Sequence, residues 1–226
     1  FISVSTLEFE PQMNLRPDQR EVFELLTVIS LYMLTFVAAV SYDYTTTHLI
    51  RKIRMERSEY KEGAHLDELT ALGNRRQFDL SLTAMIDYAR STHGSFALAF
   101  LDLDKFKPIN DQLGHDAGDR VLQVCAERIS TSIRAGDIAC RFGGDEFAIL
   151  FQHVSREEHA ATAVTHVLKA IERPIELDAR TVTLSASAGV ALFPAHASDT
   201  QALLDMADTR MYIAKRGDER FCVSDG

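Results

Sequence analysis

Cysteine is scarce: the chain has three, Cys125, Cys140 and Cys222, an odd number set far apart. None has the spacing of a zinc site or of a disulfide framework, which fits a reducing compartment. Positive charge is also in short supply. Lys and Arg number 24 against 33 Asp and Glu, a formal net charge of −9. A phosphate backbone wants a basic face, so nucleic acid is excluded as the main partner. An anionic ligand would have to be held by a metal ion and local Lys or Arg, not by the global field. Internal repeats and low-complexity tracts are absent. His153, His159 and His166 are scattered over a polar stretch and read as surface residues.

Long apolar runs are rare too, with one exception. Residues 25–42 carry no charge, which meets the length of about 18 residues expected of a membrane span. Arg51, Lys52, Arg54, Arg57 and Lys61 follow it, while Arg16 and Arg20 alone precede it closely. Positive residues stay inside, which places the C-terminal part in the cytoplasm. A buried soluble helix is the competing reading. A cleaved signal peptide fits less well, because acidic residues precede the run and no small-residue cleavage site follows. The chain starts at Phe1, so a fragment of something longer is expected. At 226 residues it holds one ordinary domain plus an appendage.

The chemistry concentrates in Arg141-Phe142-Gly143-Gly144-Asp145-Glu146-Phe147. Apolar runs on both sides read as buried strands, and Gly-Gly-Asp-Glu between them reads as a tight hairpin. Glycine lets the backbone take positive φ and lets a bulky anion approach. Two carboxylates at the tip are hard oxygen ligands that suit Mg²⁺. Alone, the tetrapeptide reads first as an acidic surface turn. A second acidic site changes the balance. Residues 95–103 form an apolar run ending in Asp102-Leu103-Asp104. Positions i and i+2 of a strand face the same way, so the two carboxylates project together. Acids at a strand end and in a hairpin can bracket divalent ions for phosphoryl transfer. Phe106, Lys107, Asn110, His115 and Asp119 follow. A lysine neutralises phosphate charge. An Asn amide and an Asp carboxylate can read guanine, whose N1–H and amine adenine does not match.

With both fragments in place, the sequence resembles the GGDEF domain of diguanylate cyclases, which condense two GTP into cyclic di-GMP. The likeness covers residues 64–226. It includes the leading motif from Asp67 to Arg76, the block from Asp102 to Asp119, the signature, and Ala207-Asp208 through Ala214-Lys215. The resemblance implies an α+β fold, an antiparallel-rich central sheet flanked by helices, as in polymerase palm and nucleotidyl cyclase domains. Together with the uncharged run, it divides the chain into an N-terminal flank (1–21), a transmembrane helix (22–42), a helical linker (43–63) and the catalytic domain (64–226). In the linker, Ile50, Ile53, Arg57, Tyr60 and Ala64 are spaced as in a coiled-coil seam, and a solvated helix reads equally well. The family's linkers align two domains, which favours the dimerising helix.

The resemblance also assigns roles. Metal ligands fall on Asp102, the Leu103 carbonyl and Asp145, for Mg²⁺ or Mn²⁺ in its place. Asp145 accepts the 3′-hydroxyl proton, Glu146 completes the acidic hairpin, and Lys107 and Lys215 hold phosphate. Guanine recognition falls on Asn110 and Asp119, with His115 nearby and Phe106 beneath the nucleotide. Arg134 and Asp137 match an inhibitory Arg-x-x-Asp site for cyclic di-GMP; without the family, that pair reads as an incidental ion pair at a helix end. The expected enzyme is a homodimer at the bacterial inner membrane with its catalytic domain in the cytoplasm. No Glu-Ala-Leu phosphodiesterase motif appears. Two positions depart from the family. Ala71 replaces a glycine in a turn, and the arginine that normally follows Lys215 in a Gly-Arg pair is displaced, leaving Arg216 or Arg220 in its stead. The alternatives are a silent module that senses GTP or cyclic di-GMP, and an adenylate-type cyclase, which Asn110 and Asp119 disfavour.

The periodicity predicts helices over 76–91, 117–133, 159–171 and 200–216. It also predicts a half-buried strand over 181–193 and a closing strand near 220–223.

Overall fold

An apolar run ending in acids can be a strand only if both its faces are covered, and the fold supplies two layers of helices to do so. The computed structural model describes residues 25–42, 65–177, 180–217 and 219–224. The chain divides into two compact units, Phe1–Gly63 and Ala64–Gly226. In the first, α1 (Leu25–Tyr42) is a helix long and apolar enough to cross a membrane, with mean hydropathy 1.9. The expected linker at 43–63 lies outside the described residues.

In the second unit, β1 (Phe96–Asp104), β2 (Ile138–Gly143), β3 (Glu146–Gln152), β6 (Ser185–Phe193) and β7 (Phe221–Cys222) form one sheet. Its order is β2-β3-β1-β6-β7. Every pairing is antiparallel except β6 with β7. A separate hairpin joins β4 (Ile175–Leu177) to β5 (Arg180–Val182). The helices are α2 (Arg75–Thr92), α3 (Phe106–Leu113), α4 (His115–Ser132), α5 (Glu157–Ile171) and α6 (Thr200–Arg216). Asn74 and Asp199 cap α2 and α6, each side chain accepting an amide of the first turn.

Central strand β1 sets the phase of everything else. Ala97, Ala99, Leu101 and Leu103 face the core under α4 and α5. Phe96, Leu98 and Phe100 face the core under α2 and α6. A strand buried on both faces reads as a continuous apolar run, as this one does. Asp102 and Asp104 continue the α2–α6 face at the strand's exit.

Two expectations need correction. The single strand over 181–193 is instead β5 and β6, in different sheets. Nor is β6 half-buried: Ala186, Ala188, Val190 and Leu192 fill one face, while Ala191 and Phe193 fill the other. Its small residues mark close approach. A Cβ on Gly189 would stand 2.0 Å from the Ala207 carbonyl oxygen of α6, so only glycine lets that helix settle on the strand. Second, the helix expected from 117 begins at His115, and α3 lies immediately before it. Gly114, at φ 87°, is the sole residue between the two and makes the corner.

Candidate active site

The exit of β1 and the tip of the β2–β3 hairpin are bonded into one acidic surface. Asp102 pairs with Glu146 across the strands. The Leu103 amide donates to the Asp145 carbonyl at 3.2 Å. Gly143 (φ 154°) and Gly144 (φ 53°) make the turn, and Gly144 occupies the left-handed region that favours glycine. Because the Leu103 side chain is buried in the core, only its main chain can serve the site. Asp102 is buried, and Lys215 of α6 reaches it at 2.5 Å. Asp104 is held separately: the Ser185 and Ser187 hydroxyls donate to its two oxygens at 2.7 and 2.8 Å.

The electrostatics describe a site with surplus negative charge. Burial pushes the Asp102 carboxyl up, and Asp145 and Asp104 add to that while Lys215 opposes it. Burial also raises Glu146, with Asp102, Asp145 and Asp208 pushing the same way. Burial works against the Lys215 ammonium, but Asp102, Asp145 and Asp104 outweigh it and raise its value. Acids and base are thus displaced in the one direction that favours added positive charge.

Hard carboxylate and carbonyl oxygens suit a divalent ion. Among the described residues, no group of three or more Asp, Glu, His or Cys side chains forms a ready cage. This agrees with the habits of Mg²⁺, which keeps several waters and takes one or two carboxylates plus substrate phosphates. The donor set therefore fits that ion as a partner of a phosphate ligand.

Beyond β1 the chain makes a second surface. Lys105, left-handed at φ 58°, starts α3. Phe106 is buried in the core as its floor, and Lys107 is exposed on the first turn. Asn110 lies over α4 so closely that a Cβ on Gly118 would meet its Oδ1 at 1.8 Å. His115 and Asp119 are exposed at the start of α4. The structure thus brings Asn110 to the turn of α4 that carries Asp119.

Sequence reasoning missed what supports the hairpin. Arg141 donates from Nε and Nη2 to the Gly144 carbonyl at 3.1 and 2.8 Å, and from Nη1 to Asp67 Oδ1 at 3.1 Å. Asp67 in turn accepts the Thr70 amide and hydroxyl. The leading motif is therefore a strut for the acidic tip. Burial raises the Asp67 carboxyl, but Thr70 and Arg141 together outweigh it and hold it below its ordinary value. Arg210 was also missed. It is 3 % exposed, donates to the Val190 carbonyl and meets His196 Nδ1, both at 2.8 Å, which fixes α6 against β6. Both residues sat in quoted motifs, yet contacts this distant leave no local pattern.

The displaced arginine has one candidate at the site. Arg216 turns to the Tyr212 hydroxyl and ring. Arg220 pairs with Glu172 at 3.1 Å and stands 4.0 Å from Asp104.

Arg134 and Asp137 lie elsewhere, at the opposite end of the β2–β3 hairpin. The Asp137 carboxylate accepts the backbone amides of Arg134 (3.0 Å) and Gln152 (2.9 Å). The incidental ion pair that the bare sequence suggests does not form: Asp137 spends its oxygens on the turn, and the Arg134 guanidinium is left exposed. The histidines of this region lie beside that turn. They are exposed, as expected, and His153, His159 and His166 line one cavity with Arg134 and Asp137.

Comparison with known proteins points the same way. Residues 64–220 match the family described as "Diguanylate cyclase, GGDEF domain". Diguanylate cyclase TpbB of Pseudomonas aeruginosa is 40% identical over 166 residues, 73% of this chain and 38% of that protein. The chain thus spans about two fifths of that relative's length. A solved structure of TpbB comprising only its GGDEF domain matches with a TM-score of 0.66 at 41% identity, covering 69% of this chain and 91% of that one. The coiled coil and GGDEF domain of DgcB from Caulobacter crescentus, solved with cyclic di-GMP, matches at 0.65 and 27% identity, covering 79% and 94%.

Proposed function

This chain belongs to the GGDEF diguanylate cyclase family, and from that premise we propose that it condenses two GTP into cyclic di-GMP and two pyrophosphates. The observation that carries the reading is the weld between strand and hairpin: Asp102 opposite Glu146, the Leu103 amide on the Asp145 carbonyl, and Lys215 against Asp102. Asp102, Asp145 and the Leu103 carbonyl would hold Mg²⁺, or Mn²⁺ in its place. When bound, that ion neutralises triphosphate charge and acidifies the attacking hydroxyl.

The chain's own groups do the rest. Asn110 and Asp119 read the guanine edge beside His115, with Phe106 as the floor. Lys107 and Lys215 place charge on the phosphates, and Arg220 takes the part of the displaced arginine. The 3′-oxygen of one GTP attacks the α-phosphorus of the other, in line with departing pyrophosphate. Asp145 accepts the hydroxyl proton and Glu146 adds to the field around it. One domain offers one such site, so two copies face each other about a two-fold axis. Arg134 and Asp137 bind the product and inhibit. Helix α1 anchors the chain in the bacterial inner membrane, the second unit facing the cytoplasm.

The test is direct. The full chain incubated with GTP and Mg²⁺ is expected to yield cyclic di-GMP, identified by mass spectrometry. Asp145→Ala is expected to lower the rate by about a hundredfold or more while leaving the circular dichroism unchanged. Substantial residual activity overturns the metal assignment. GTP binding without any product from the parent chain marks a silent sensing module instead.

A further inference from the structure

The cavity beside the Arg134 turn has a volume of about 550 Å³, within the range of small-ligand sites. Its charged and titratable lining comes from three places. The α4–β2 turn gives Arg134 and Asp137, the turn after β3 gives His153, and α5 gives His159 and His166. The two α5 histidines are seven residues apart, two turns of helix, and therefore share a face. Lys169 lies one turn further, across an adjoining hollow that His166 also borders. Against this stands a single carboxylate, and Asp137 already accepts two backbone amides. In a chain of net charge −9, this is a local surplus of positive and ionisable nitrogen.

We propose that this cavity is a proton-gated phosphate site: His159 and His166, with His153 at the rim, join Arg134 in holding the phosphodiesters of the cyclic dinucleotide. Feedback by product then strengthens as pH falls. The proposal rests on the feedback reading of the Arg134 turn and adds its dependence on pH. The sign follows from the lining. Between about pH 8 and about pH 6, imidazole is the group that gains a proton, while guanidinium stays charged. The phosphodiester of the ligand keeps its single negative charge throughout. Within this lining, the three histidines are therefore the groups through which pH acts on binding. Binding of the anion must draw protons onto them, and by linkage lower pH must favour binding.

The experiment is calorimetric titration of the full chain with cyclic di-GMP at about pH 6 and about pH 8, in buffers of differing ionisation enthalpy. The parent is expected to bind about tenfold more tightly at the lower pH, with net proton uptake. His159→Gln/His166→Gln keeps size and hydrogen-bonding capacity without the charge, and is expected to lose most of that difference. His153→Gln should remove a smaller part. Inorganic pyrophosphate, the other phosphate-bearing product, is titrated in parallel. If it shows the histidine-dependent pH effect and cyclic di-GMP does not, the dinucleotide assignment is wrong. Equal affinity at the two pH values, or an undiminished slope in the double variant, overturns the proposal. Initial rates of synthesis on the same preparation separate the two readings. No product with pH-dependent binding intact sinks the cyclase assignment alone, and normal synthesis with flat binding sinks this one alone.

Discussion

Gly118 shows how one missing side chain positions Asn110, the proposed guanine-reading amide. A glycine inside a helix costs about 1 kcal/mol relative to alanine, so α4 by itself would gain from the substitution. The site would not. A Cβ there would stand 1.8 Å from Asn110 Oδ1 and 2.9 Å from its Cγ, so the amide must move away from α4 and from the turn that carries Asp119. Gly118→Ala is therefore expected to leave thermal stability near the parent's while raising KM for GTP about tenfold. Selection against ATP should relax with it, because a reading group that loses its alignment no longer penalises the wrong base. The check is kinetics with GTP alone and with an equimolar ATP mixture. An unchanged KM and an unmixed guanine product would mean that Asn110 does not read the base from this position. From sequence, Gly118 is only a weak residue beside the stripe of Val121, Cys125 and Ile129. The approach of α3 to α4 that requires it has no period to betray it. Ala71 tells a related story: it sits at φ 57°, where an L-residue costs about 1 kcal/mol, so the family's glycine at this turn has a backbone reason.

At the scale of elements, the hairpin and the leading turn act as one part, because Arg141 bridges Asp67 and the Gly144 carbonyl. The partners of that strut are 74 residues apart, which is why spacing could not reveal it. Its pH dependence has a defined sign. Asp67 titrates below its ordinary value in the fold, so its contribution is fully present above the unfolded value of about 3.9 and is lost as pH falls through the lower folded value. Denaturant midpoints measured from about pH 5 down to about pH 2.5 should therefore fall, and Asp67→Asn should flatten part of that slope. Superimposed curves for parent and variant would show that the strut contributes nothing to stability. Elements with long periodic faces were legible from the chain: α6 begins and ends at the residues expected, and the β2–β3 hairpin is where Gly-Gly-Asp-Glu put it. The helix α3 and the extent and burial of β6 were not. The eight residues of α3 give too few turns for a stripe, and β6 alternates small and large residues because α6 presses on it, not because one face is wet. The acids of the site were legible as types at strand ends. What holds them, Ser185, Ser187, Arg141 and Arg210, became visible only with the tertiary contacts.

For the molecule as a whole, the question is how two sites meet. Each proposed site has one acidic centre and one guanine-reading corner, whereas the product contains two guanines. On the proposed reaction, the rate depends on encounter between copies. Two chains of net charge −9 repel, so the global field opposes that encounter and its range shrinks with salt, to about 8 Å at physiological ionic strength. Confinement answers the repulsion. Copies anchored through α1 in one bilayer, as proposed, would meet at an effective concentration that bulk dilution does not change. The full chain is therefore expected to behave in two ways. In dilute detergent, activity per molecule should fall with protein concentration, approaching a tenfold loss for each roughly tenfold dilution below the dimer's dissociation constant. Added salt up to roughly 0.15 M should recover part of it by shortening the repulsion. In liposomes at fixed protein-to-lipid ratio, the same dilution should leave activity per molecule unchanged. The readout is the initial rate of cyclic di-GMP formation at saturating GTP, before product accumulates. A rate per molecule that holds constant in detergent over a roughly hundredfold dilution would rule out encounter as the controlling step, and with it the reason for an anchor and linker upstream of the catalytic unit.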